Sequence, residues 1–490
     1  MCWIVLIISL IALMGGAVRA QSDDVLWDRC ANEQDEHAAN LAIDSCTALM
    51  RSEGLTSENL PIFFSNRGVA LRKNGEYERA IADHDEAIRL NPSLALAFVN
   101  RGAVYLLKGD HERAIADSDE AIRLNPSLAE AFSNRGNAYA DNKGEYDRAI
   151  ADYDEAIRLD PGLAVAFFNR GLVYRRRGEL ERAIADYDQA IRLKPSYDMA
   201  FNNRGAAYYL KGEYDRAVAD FQEAIRLNPG LAVAFYNRGN AYADNKGEYD
   251  RAIADYDEAI RLDPGHAKAF INRGIAFFRK GEYESAIADY DEAIRIKPDF
   301  ANGLYNRGVA YFRKGEHDRA IANYDEAINL RPDFANGFFR RGQAFACKGD
   351  ISRAMSDLDR SIALQSSEEN KALWANATAW HLATSSNRAC RRGPMALSYA
   401  RLAANISPNN GAIQNTLAAA LVATGQQEAA LSTYENVMRI EPTYVSSYRE
   451  FLKGRASHRE SVVSIHRPGM RAAIRAHIAT GCALLDNACR

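Results

Sequence analysis

Carboxylates, a recurring asparagine and a set of cysteines have the types and spacings in this 490-residue chain that could do chemistry. The carboxylates come as a repeated Asp-x-Asp-Glu, as in Asp152-Tyr153-Asp154-Glu155. Paired acids can hold calcium or share a proton. Here they fall in the middle of a helical pattern, without the turn that gathers ligands around calcium. They read instead as a solvated helix face, with Arg148 to Asp152 and Asp154 to Arg158 spaced for pairing four residues apart. Such pairs contribute a few tenths of a kcal/mol each. The nine histidines are scattered, and no HExxH, GxSxG, Walker loop or dinucleotide fingerprint occurs. The expectation is a chain with no catalytic residues, no metal site and no cofactor.

The asparagine is more regular. The triplet Asn-Arg-Gly begins at Asn66, Asn100, Asn134, Asn169, Asn203, Asn237, Asn272 and Asn306, and Arg340-Arg341-Gly342 makes a ninth, variant copy. A side-chain amide donates and accepts hydrogen bonds at once. Seven residues after each triplet start, two helical turns on and therefore on the same face, stand Lys73, Leu107, Asp141, Arg176, Leu210, Asp244, Arg279, Arg313 and Cys347. The order basic, apolar, acidic runs twice before ending in two arginines.

The elements that must position these residues recur every 34 or 35 residues. A fixed period of that size means a solenoid. Residues 169–195, NRGLVYRRRGELERAIADYDQAIRLKP, show the unit. Phe167, Gly171 and Tyr174 share one face of a first helix. Gly178 ends it, because glycine accepts the left-handed conformation. Ala183, Ile184, Tyr187, Ala190 and Ile191 recur at three and four on a second helix, and Pro195 stops it. Gly171 and Ala183 let the two helices approach, with Tyr174 and Tyr187 filling the space around them. One such pair leaves apolar surface uncovered, so stability needs stacked neighbours. A longer period overlies the short one: the 29 residues 134–162 recur unchanged at 237–265, 103 residues later. The longer copies carry an extra residue near Asp141 and Asp244, in the turn.

The unit resembles the tetratricopeptide repeat. The family's small residues fall on Gly171, Ala183 and Ala190, its aromatics on Tyr174 and Tyr187, and its terminal proline on Pro195. The resemblance implies an all-α, right-handed superhelical solenoid of helix-turn-helix repeats, about twenty-four helices in all. It also implies a non-catalytic protein–protein interaction scaffold. In related superhelices the first helices line the concave groove with this Asn facing inward. In eukaryotic O-linked N-acetylglucosamine transferases a ladder of such asparagines holds the backbone of bound peptides. The resemblance therefore implies a peptide-binding groove in which the eight asparagines grip backbone. Lys73, Arg176, Arg279 and Arg313 would help to select side chains of an extended, mixed-charge segment. The chaperone-tail clamp of some cytosolic repeats is disfavoured, since it needs a lysine just before the Asn. Those positions here are Ser65, Val99, Ser133, Phe168, Asn202, Tyr236, Ile271 and Tyr305. The alternative is a structural spacer or assembly factor of the cell envelope. A net charge of −4 leaves no nucleic-acid footprint, so the expected partners are proteins or peptides, with no small-molecule substrate.

Residues 1–20 read as a secretory signal peptide, with an uncharged apolar run and Ala20 at a cleavage site. An uncleaved anchor, the one membrane contact considered, is the alternative. The expected location is the periplasm or cell envelope, or outside the cell if no outer membrane exists. Residues 21–60 form a degenerate capping repeat, 61–368 nine repeats, 369–444 two degenerate repeats, and 445–490 a basic helical tail. Within the tail, residues 468–474 faintly resemble a stretch of peptidoglycan-binding modules, with Pro and Gly reversed. Six cysteines would remain after cleavage, an even number that suggests disulfides in an exported chain. Matching Ala42 to Ala80 puts Cys30 and Cys46 at the helix–helix contact, and a bridge is predicted there. Two buried thiols are the alternative. Cys347 could reach Cys390 in the next repeat's turn, and Cys482 with Cys489 could staple the end.

Overall fold

The computed structural model describes residues 25–31, 39–52, 58–142, 144–245, 247–385 and 387–440. The signal-like segment 1–20, the tail 445–490 and, with it, Cys482 and Cys489 lie outside the described residues. Every regular element among the described residues is helical. The chain falls into two compact units, the first ending at Ala241 and the second beginning at Tyr242.

In the first unit, the helix Ala39–Leu49 precedes a series of helix pairs. Leu60–Lys73 packs on Tyr77–Leu90, Ala95–Leu107 on His111–Leu124, and Ala129–Asp141 on Tyr146–Leu159. Ala164–Arg176 on Leu180–Leu193 and Asp198–Leu210 on Tyr214–Leu227 continue the series. The pair around Gly171 shows why these residues make this structure. A Cβ added to Gly171 would lie 2.8 Å from Tyr187 Cε1 and 3.3 Å from the Ala183 carbonyl. Only a residue without a side chain permits that approach. Ala183, Ala190 and Tyr187 are fully buried beside it. Gly178, at φ 79°, closes the first helix in the left-handed region. Phe168, Tyr174, Ala183, Tyr187 and Ala190 form one core with Ala200 and Ala207 of the next first helix. Each pair is thus completed by its neighbour, as a solenoid requires. The extra residue of the longer repeats lies in the turn. The helix Ala129–Asp141 is followed by 142–145 before the second helix, against 177–179 in the shorter repeat.

In the second unit, Ala267–Lys280 pairs with Tyr283–Ile296, Ala301–Lys314 with His317–Leu330, and Ala335–Lys348 with Ile351–Ala363. The chain continues through a 17-residue helix, Glu368–Thr384, packed on Gly393–Ile406, and then Gly411–Ala423 on Gln427–Ile440. Where Ser366 replaces the expected proline, Ser367 caps the next helix by accepting from the Asn370 amide. The inserted residues around Cys390 form the turn Arg388–Cys390. No described helix is long and apolar enough to cross a membrane.

Candidate functional site

The carboxylates are only in part a solvated face: the second Asp stays about half exposed, as Asp154 does. In each Asp-x-Asp-Glu the first Asp is buried, as at Asp152 and Asp289, and so is the Asp at the same place in the variant copies, Asp186 and Asp220. The Arg of the Asn-Arg-Gly triplet reaches across from the first helix and donates to it with both arms of its fork. Arg170 Nε and Nη2 lie 2.8 and 2.7 Å from the Asp186 oxygens. Its third nitrogen, Nη1, donates across 2.5 Å to Asp154, the second Asp of the preceding repeat. Arg101, Arg135, Arg204, Arg273 and Arg341 repeat the arrangement. In one copy Asn323 replaces the buried Asp and accepts from Arg307 Nε at 2.6 Å.

Each arginine therefore clamps its own helix pair and stitches it to the one before. The planar guanidinium matches a carboxylate along two parallel bonds, which takes Asp152 and Asp154 away from the i,i+4 partners expected of them. Arg148 pairs instead with Glu145 and the Tyr139 hydroxyl, and Arg158 pairs with Glu155. Burial raises the Asp186 carboxyl above its ordinary pKa, and Arg170 restores only part of the loss. Burial would lower the Arg170 guanidinium, but its bonds to Asp186 and Asp154 outweigh that and leave it raised. Sequence reasoning passed over these arginines. The signal was available in the constant interval of 16 residues, 17 in the longer repeats, between each Arg and its buried Asp.

The asparagines lie where first helices meet first helices, and neighbouring first helices touch within each unit. Asn100 Nδ2 donates to Ser65 Oγ (3.3 Å), Asn134 Nδ2 to the Val99 carbonyl (3.1 Å), and Asn237 Nδ2 to Asn202 Oδ1 (3.1 Å). Asn169 Nδ2 donates across 2.8 Å to Asn137 Oδ1, which also accepts from the Tyr153 hydroxyl. Asn203 differs, being buried with its Nδ2 turned onto the Met199 carbonyl of its own helix. Asn66, Asn272 and Asn306 are half-buried. The ladder is thus partly internal: one amide proton of several asparagines is already committed to the neighbouring helix.

The residues seven positions on are more open. Lys73, Leu107, Asp141, Arg176 and Leu210 are exposed in the first unit, and Arg279 and Arg313 in the second. Leu107 and Leu210 are 54% and 58% exposed. Arg176 Nη1 lies 2.9 Å from Asp141 Oδ1, so successive members of this row touch and two of them neutralise one another. Asp244 is half-buried, and Cys347 is buried.

The cysteines come together in two pairs. The sulfurs of Cys30 and Cys46 lie 2.07 Å apart, in a cluster with Leu49 and Phe63. Those of Cys347 and Cys390 lie 2.10 Å apart. His84 is buried and His381 is half-buried. His84 occupies the place that Tyr187 takes elsewhere, against Gly68, and burial with Arg72 and Arg101 nearby pushes it down to about 3. Burial with Arg340 and Arg313 nearby pushes His381 down to about 4.

The family description "TPR repeat" matches residues 68–109, 102–143, 142–176, 171–212, 245–281, 276–315 and 310–349. "Tetratricopeptide repeat" matches 199–231, and together the two cover more than half of the chain. A search of curated proteins gave no significant match. Among solved structures, YrrB, described as a TPR protein with an unusual peptide-binding site, is 26% identical with a TM-score of 0.33. That match covers 38% of this chain and 95% of YrrB. A tetratricopeptide repeat protein from Parabacteroides merdae is 20% identical over 53% of this chain and 98% of its own, with a TM-score of 0.40. Yeast Tom70 is 15% identical over 86% of this chain and all of its own, with a TM-score of 0.38.

Proposed function

The chain belongs to the tetratricopeptide-repeat family, whose repeats serve as scaffolds for protein interaction rather than as catalysts, and we propose that it binds an extended, mixed-charge protein segment along its first helices. The observation that carries this reading is the exposed row through Leu107, Asp141, Arg176 and Leu210 beside the asparagines. The Arg–Asp clamps consume the buried charges, and the two most exposed leucines of this row, Leu107 and Leu210, end first helices. Apolar contact at the leucines would supply affinity, and charge at Arg279 and Arg313 would favour acidic residues in the partner. The asparagine oxygens and remaining amide protons would meet backbone groups of the segment. No catalytic residues, cofactor, nucleic acid or small-molecule substrate form part of this reading.

The same proposal assigns the chain to the cell envelope or the exterior. The signal-like residues 1–20 and the two cysteine pairs with sulfurs at bonding distance support it. Both pairs would be disulfides there. Intact-mass measurement without reductant checks them: the masses expected are those of bridged Cys30–Cys46 and Cys347–Cys390, and free thiols at either pair would remove that bridge. Binding is tested by pull-down from an envelope extract. Replacing Asn134, Asn169 and Asn237 together by Ala should reduce partner recovery with the helical signal retained. Reversing Arg279 and Arg313 to Glu should change which partners are recovered and their salt dependence. If both variants recover every partner as the parent does, the first-helix face is not the site.

A further inference from the structure

His317 opens the helix His317–Leu330, Cys347 lies one residue before the end of Ala335–Lys348, and Cys390 closes the turn Arg388–Cys390. Three successive repeats thus supply one side chain each. A ring nitrogen of His317 and the two sulfurs all lie within 4.8 Å of one another. Both cysteines are buried. Nδ1 of His317 is buried without a hydrogen-bond partner, and the ring rests on Phe312 with centroids 5.1 Å apart. A buried imidazole nitrogen without a partner calls for an explanation, and the ring that carries it stands beside two sulfurs. His111, at the equivalent helix start of an earlier repeat, also has a buried Nδ1 without a partner, but the residue 30 positions on is Asp141 rather than a cysteine, so what sets His317 apart is the pair of sulfurs. Among the described residues, no other group of three potential ligands comes together in this way.

We propose that in the reduced chain His317, Cys347 and Cys390 bind a soft d10 cation, Cu(I) or Zn(II), and that this binding and the Cys347–Cys390 bridge exclude one another. Two thiolates and an imidazole, with no carboxylate in the set, select soft or borderline ions over calcium and magnesium. Three ligands suit Cu(I) directly, and Zn(II) would complete four with water. Thiol–disulfide exchange with an external protein is the competing use, and it is disfavoured by the burial of both sulfurs. The chemistry balances with a dithiol as reductant. The dithiol gives two electrons and two protons to the bridge and is itself oxidised to a disulfide, leaving Cys347 and Cys390 as thiols. The cation then displaces the two thiol protons to solvent, two metal–sulfur bonds form, and the His317 lone pair makes the third. An external disulfide reverses the sequence: it takes two electrons from the thiolates and two protons from solvent, leaves as two thiols, and the cation departs.

The test uses the full chain, oxidised and reduced, titrated anaerobically with Zn(II) and with Cu(I) against chromophoric chelators of each ion. The reduced parent should bind one equivalent of at least one ion tightly, and the oxidised parent should lose that equivalent. Cys347→Ser with Cys390→Ser should abolish it, and Cys30→Ser with Cys46→Ser should keep it. His317→Gln leaves both sulfurs in place and should weaken binding at least tenfold. The comparison of oxidised with reduced parent needs no substitution, so a misfolded serine variant leaves the test intact. Equal binding by oxidised and reduced parent, or by His317→Gln and parent, or no binding of either ion, would overturn the proposal.

Discussion

The repeat around Gly171 and the segment from Ala372 to Ala430 solve the same packing problem differently. In the first, a glycine, two alanines and a tyrosine make a small core, and Arg170 locks the helices with a charged clamp on Asp186 and Asp154. In the second, Trp374, Leu382, Met395, Leu397, Tyr399 and Leu421 belong to one large buried cluster. There Tyr399 reaches back to the preceding helix pair and donates to Asp359 at 2.8 Å. The lesson is that the regular repeats are specified by polar geometry around minimal side chains, which copies well, whereas the worn repeats rely on apolar volume, which need not follow a fixed pattern. Once volume supplies the cohesion, the Asn-Arg-Gly triplet and its partner Asp can be lost.

That contrast can be broken from either side. The largest effect should come from Trp374→Ala, which removes the largest side chain of the apolar cluster at a cost of about 4 kcal/mol. Hydrogen exchange should rise together across 339–430, because those residues share one core. Arg170→Ala should cost about 3 kcal/mol by leaving Asp186 buried without its partner. Exchange should rise in the two pairs that Arg170 joins, and Arg170→Lys should rescue poorly because an ammonium cannot form the fork. If Arg170→Ala melts like the parent, the clamp is not what holds the regular repeats together.

Gly171→Leu sharpens the small-residue half of the comparison. With Tyr187 already 2.8 Å from the added Cβ, overpacking should cost about 2 kcal/mol, detected as a lowered unfolding midpoint with exchange confined to adjoining pairs.

A pH effect separates His84 from its tyrosine counterparts. Its folded pKa of about 3 lies below the unfolded value of 6.5, so between them the unfolded chain binds the extra proton. The stabilisation is complete above pH 6.5 and is lost as pH falls towards 3. By pH 5 the loss should be about 2 kcal/mol, at 1.36 kcal/mol per pH unit. His84→Tyr should flatten the acid limb of the stability profile for the first regular repeat. An unchanged limb would mean that His84 is not protonated on unfolding.

Much of this was legible in the sequence. Period, helix pairing, the left-handed Gly178 and the close approach at Gly171 follow from residue type and spacing, because backbone conformation and small side chains are local properties. The clamps were not read, although their residues recur at a constant interval. A carboxylate on an amphipathic helix looks solvated until the partner that buries it, 16 residues back on another helix, is considered. The asparagine ladder was legible as a row but not in its hydrogen bonds, since whether an amide turns to its own helix, as at Asn203, or to a backbone carbonyl of the preceding first helix, as at Asn134, depends on packing between repeats.

The first-helix face is tested most directly by site-specific photo-cross-linking in an envelope extract. A benzophenone side chain would stand at Leu107 or Leu210 on the first helices, and at the exposed Ala116 or Gln222 on the second helices. The account predicts that the same partner is captured from Leu107 and Leu210 and not from Ala116 or Gln222. Capture from the second-helix positions alone, or equally from all four, would contradict it.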